Sequence, residues 1–160
     1  MKLSLASAFL LAVSAPALAA SPVSLFDMSL PLASQLAEEV RSQCKSIGQS
    51  GVVSVVDRGG NLVLLQREEG TGPHNTLAAQ RKAFTALSTK TATLSLAERA
   101  QQQEDSRNLN TLPELLLLGG GVPVVYQSQT IGAVGVAGMG GAKNDHQCAK
   151  NAIEKILKTK

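Results

Sequence analysis

Aromatic side chains are the scarcest feature of this 160-residue chain, which has no tryptophan, one tyrosine and three phenylalanines. Phe9 falls in an N-terminal segment expected to be removed, so Phe26, Phe84 and Tyr126 are the aromatic residues of the mature protein. Recognition of single-stranded nucleic acid relies on stacking faces, and this composition disfavours it. A surplus of charge is missing as well: 15 Lys and Arg face 12 Asp and Glu, a formal balance of +3. The basic residues are scattered, which argues against a nucleic-acid partner or an anionic membrane surface. The two histidines, His74 and His146, and the two cysteines lie far apart, so a structural zinc site would need all four from distant segments. No Gly-x-Ser-x-Gly elbow presents a nucleophile, and no catalytic constellation stands out. The length suits a single compact domain.

The first residues read as a targeting signal. Lys2 precedes the apolar run Leu3 to Val13, and Ala17-Leu18-Ala19 has the small-x-small pattern of a signal-peptidase site. The run is too short for a bilayer, and no later stretch stays apolar for the roughly 20 residues a spanning helix needs. The mature domain is therefore expected to cover residues 20–160, in the periplasm or outside the cell. In an oxidising compartment Cys44 and Cys148 are expected to form a disulfide.

Periodicity gives an order of elements. Leu32, Leu36, Val40, Cys44 and Ile47 recur every three or four residues, which predicts an amphipathic helix from Leu30 to Ile47. Val52 to Val56 and Leu62 to Gln66 are β-rich runs joined by Asp57-Arg58-Gly59-Gly60-Asn61, a hairpin. Helices are expected from about Asn75 to Leu87 and from Leu94 to Gln103, with Asp105 to Pro113 as a polar surface connection. A second hairpin follows, from Val122 to Tyr126 and from Thr130 to Ala137. Asn144 or Asp145 is then placed to cap a last helix carrying Cys148, Ala152 and Ile153 on one face. Paired antiparallel strands with helices on one face make an α+β domain. Both terminal helices must cover the same sheet to bury their stripes, which brings Cys44 towards Cys148.

Few residues point to chemistry. The glycines from Gly132 to Gly141 lack the following crossover and acidic residue of a dinucleotide site, and fit close strand packing better. His74 follows Gly72-Pro73 at the start of a helix, where a loop side chain can face a ligand. His146, in the first turn of the last helix, is expected to be exposed. Arg81 and Lys82 are adjacent on a helix and point in different directions; both read most simply as surface charges.

Four segments, VVDRGGNLVLLQREEG, AAQRKAFTA, LGGGVPVVY and QTIGAVGVAGMGGAKNDHQCA, occur in series between about residues 50 and 150. In that order they resemble the GlcG/HbpS-like haem-binding family, which includes the carboxy-terminal domain of the PduO proteins. The resemblance implies a profilin-like or PAS-like sheet of about five strands, commonly in a homo-oligomer, that binds haem and in some members another tetrapyrrole or iron. It implies a carrier or sensor accessory rather than an enzyme. Carried over by position, the ligand region falls on Gly70 to His74, on Arg81, Lys82 and Thr85, and on Gly119, Gly120, Gly121 and Gly138. His74, Tyr126, Met139 and His146 all have donors that haem iron accepts, with His74 the leading metal ligand. A haem propionate is expected on Arg81 or Lys82. The rival readings are an enzyme or accessory for a small organic acid such as glycolate, and a ligand-free oligomeric interaction protein.

Overall fold

The computed structural model describes residues 20–158, and the expected signal segment lies outside them. The elements are α1 (Leu30–Lys45), β1 (Val52–Asp57), β2 (Leu62–Arg67), α2 (His74–Thr89), α3 (Thr93–Gln102), α4 (Glu104–Asn108), a 3₁₀ turn (Leu109–Thr111), β3 (Gly121–Tyr126), β4 (Gln129–Ala137) and α5 (Ala142–Lys158). The four strands form one antiparallel sheet in the order β2-β1-β4-β3. The expected α+β class and both hairpins are present, with four strands in place of about five.

The helices do not gather on one face. Side chains alternate across a strand, so β1 feeds two layers. Val53 and Val55 pack with Leu36, Val40, Ala149 and Ala152 from α1 and α5. Val52 and Val56 face the other way, onto Ala79, Ala83 and Ala86 of α2. Burial on both sides explains why β1 reads as a continuous apolar run. The alanines recur at helical spacing and let α2 settle close to β4. A Cβ on Gly135 would overlap the carbonyl oxygen of Ala79, so the strand can carry no side chain there.

Helix α1 starts at Ser29, whose hydroxyl accepts the Leu32 N–H at 3.3 Å. It stops before Ile47 because Cys44 O takes the N–H groups of Ile47 and Gln49 as the chain turns through Gly48 at positive φ. Ile47 is exposed as a result. The expected polar connection after α3 contains the short α4 and the 3₁₀ turn, with no buried residue in either. Cys44 and Cys148 form a disulfide with 5.5 Å between their Cα atoms, tying α1 to α5 across 104 residues. Among the described residues no helix is long and apolar enough to cross a membrane.

Candidate functional site

Helix α2 presents three stripes, and they separate the candidate residues. Ala79, Ala83 and Ala86 face the sheet. His74 and Asn75 in the first turn, then Ala78 and Lys82 at steps of three or four residues, face the glycines after β4 and the start of α5. Leu77, Gln80, Arg81 and Phe84 face the β1–β2 turn and the segment at Pro113 and Glu114. Arg81 and Lys82 thus belong to different cavities, and neither is a simple surface charge.

The first cavity has a volume of about 310 Å³. His74 stands exposed at its mouth, while Lys82 closes its floor with only 2% of its surface accessible. The Lys82 Nζ donates at 2.9 Å to Asp145 Oδ2 and at 2.9 Å to the carbonyl oxygen of Val136. The other carboxylate oxygen, Asp145 Oδ1, accepts the Met139 N–H at 2.9 Å. Asp145 is therefore not the helix cap that its position suggested: α5 begins at Ala142, and the carboxylate turns back from its first turn to meet α2 and the end of β4. Burial pushes the Asp145 carboxyl above its ordinary value, while Lys82 and the N–H groups of Met139 and Gly138 pull the other way.

The triple glycine lies against this pair. A Cβ on Gly120 would sit 3.0 Å from Lys82 Nζ and 2.9 Å from Asp145 Cβ, and one on Gly121 would overlap the Lys82 carbonyl oxygen. Gly119 comes equally close to Leu94, where its Cβ would lie 2.9 Å from Cδ1. Thr93 Oγ1 accepts the Gly121 N–H at 2.8 Å and donates to Leu118 O at 2.8 Å. These glycines allow backbone to approach the ion pair and the neighbouring helices. Gly138, at positive φ, borders the cavity beside Asn75.

The second cavity has a volume of about 430 Å³ and mostly apolar walls. Arg81 Nη2 donates at 2.5 Å to Leu115 O, while its Nε is buried with no acceptor. Thr85 is buried beneath, its hydroxyl donating to Arg81 O at 2.7 Å and accepting the Leu116 N–H at 2.8 Å. A further cavity near the end of α1 is bordered by Glu38, Arg41 and Glu68, which pair among themselves at 2.9 and 2.6 Å.

The side chains of the remaining iron-ligand candidates do not line the first cavity. Met139 is fully buried in the core, and the Tyr126 ring packs edge-on against Phe26 with centroids 5.2 Å apart. His146 is half-buried, not exposed, and its Nδ1 has no partner. Burial and then the Lys150 charge hold its imidazole below the usual value, opposed by Glu98. The residues missed from sequence are Asp145 as a partner of Lys82, and Asn75. The Lys82 position carries a usable signal, since it lies on α2 between Ala78, Ala79, Ala83 and Ala86, where small residues mark a buried face.

Comparison with known proteins places this arrangement among relatives. Protein GlcG of Escherichia coli strain K12 is 34% identical over 110 residues, which cover 69% of this chain and 81% of GlcG. The crystal structure of a double mutant of Streptomyces reticuli HbpS superposes with a TM-score of 0.78 at 33% identity, covering 91% of this chain and 98% of that one. The crystal structure of a PduOC–haem complex does so with a TM-score of 0.72 at 26% identity, covering 79% of this chain and 93% of that one. Residues 28–154 match the family described as haem degrading protein, HbpS-like. The chain belongs to the HbpS-like family.

Proposed function

We propose that the mature chain is an exported tetrapyrrole-binding protein that takes haem, with His74 as the iron ligand. The observation that carries this reading is the convergence of His74, Lys82 and Gly138, three residues separated in sequence, on one open cavity. The residues present fit the group. An exposed imidazole is a usual axial donor. Gly138, Gly140 and Gly141 offer backbone without side chains beside it, and a Cβ on Gly141 would meet nothing within 4 Å. At about 310 Å³ the cavity is at the low end for small-molecule sites, and His74 at its mouth and Lys82 at its floor are the residues that would hold the group.

Of the two cations considered for a propionate, Lys82 is the one at this cavity. An ammonium has three donors, and Asp145 and Val136 take two. The role of the chain is to bind and orient; bound haem supplies the redox chemistry of its iron. The haem complex of PduOC and the family description support the ligand class. Export rests on the pattern of residues 1–19 and agrees with the disulfide. Haemin titrated into residues 20–160 is expected to give a saturable, shifted Soret band. A spectrum identical to free haemin at all ratios contradicts the proposal.

A further inference from the structure

The cavity on the other side of α2 has a chemistry of its own. Helices α1 and α5 together cover one face of the sheet, but on the opposite face α2 leaves the edge strand β2 open at Leu62. Leu62 is 50% exposed and Leu77, facing it from α2, is 60% exposed. Phe84 closes the inner end because Gly60 has no side chain: a Cβ there would lie 2.9 Å from the ring. The groove of about 430 Å³ is within the range of small-molecule pockets.

One charged group is built into this apolar wall. Arg81 is held in orientation by its bond to Leu115 O, and its Nε–H is buried without an acceptor. A guanidinium bordering an apolar groove is matched by a carboxylate, which gives charge-assisted hydrogen bonds stronger than those to a neutral group. Glu114 lines the same groove from an exposed position and repels a second negative charge. From these features we infer that the groove binds a small amphipathic monocarboxylate, with its acid on Arg81 and its apolar body against Leu62, Leu77 and Phe84. This site is separate from the cavity at His74 and stands whether or not haem binds there.

Octanoate, octanol and butyrate titrated into the mature protein, with amide NMR shifts followed at Gly60, Leu77 and Phe84, test the inference. Octanoate is expected to saturate with shifts at these positions, while octanol and butyrate bind at least about tenfold more weakly, having lost the charged bond or the apolar body. Arg81→Gln is expected to weaken octanoate about tenfold or more and leave octanol unchanged. Leu77→Ser, at an exposed position that does not endanger folding, is expected to weaken octanoate independently. Equal binding of octanoate and octanol overturns the inference, because the groove is then only an apolar patch. Absence of octanoate binding to the unsubstituted chain also overturns it, and if Leu77→Ser at the same time converts an oligomer to monomers, a second copy of the chain is what fills the groove.

Discussion

Removing either member of the Lys82–Asp145 pair strands the other charge inside the protein, where almost no solvent reaches it. Lys82→Met or Asp145→Asn alone is expected to destabilise the fold by about 3–5 kcal/mol in urea unfolding. The double change to apolar residues should cost much less than the sum, since no unpaired charge remains. Equal additive losses would show that the pair is not coupled. His146 gives a pH-dependent counterpart. Its folded value is depressed from the usual 6.5, chiefly by burial, so the unfolded chain binds a proton first as pH falls. Stability from the neutral imidazole is present above the unfolded value and is lost on acidification through that window. His146→Leu is expected to flatten the decline in urea midpoint as pH falls below about 6.5, and an unchanged slope would assign it elsewhere. Residue roles were the least legible level in the sequence. The place of His74 after a Gly-Pro loop singles it out, and the structure sets it at the mouth of a cavity, but a lysine and an aspartate 63 positions apart give no local sign that they meet.

Elements were far more legible, because hydrophobic period and turn chemistry act locally. The stripe of α1 and the two hairpins emerge directly from spacing, and the β1–β2 turn shows why. Asp57 Oδ1 accepts the N–H groups of Gly59 and Asn61, each at 2.8 Å, so an Asp before two glycines and an Asn organises its own loop. Burial raises the Asp57 carboxyl, but the hydrogen bonds from Asn61, Gly59 and Gly60 outweigh it and leave the group below its usual 3.8. Its contribution is therefore present above that value and lost as pH falls through the lower folded one. Asp57→Asn is expected to reduce the acid-induced loss of stability below about pH 4, measured by urea unfolding. The placement of helices on both faces was not legible, since a small-residue stripe on α2 does not state which side of the sheet it covers. Gly135→Ala tests that packing. The added methyl meets the α2 backbone at Ala79, and a loss of about 1–3 kcal/mol is expected. A neutral effect would mean that α2 moves freely from the sheet.

At the scale of the whole molecule, the disulfide joins the first and last helices and closes a loop of most of the domain. Loop-closure entropy puts its contribution at about 4–5 kcal/mol, so Cys44→Ser with Cys148→Ser should lower the urea midpoint strongly while leaving the far-UV spectrum native at low temperature. This pairing was legible because topology and cysteine count converge: two terminal helices covering one sheet face bring their inward stripes together. The division of the surface between two cavities was not, since it depends on what packs against each side of α2. Parallel haemin titrations of residues 20–160, of His74→Ala and of Arg81→Gln tell the two cavities apart. His74→Ala is expected to weaken haem binding at least about tenfold and to abolish the wild-type Soret shift, while Arg81→Gln binds as the wild type does. Loss of haem in Arg81→Gln with retention in His74→Ala would contradict this expectation and move the tetrapyrrole to the groove beside β2.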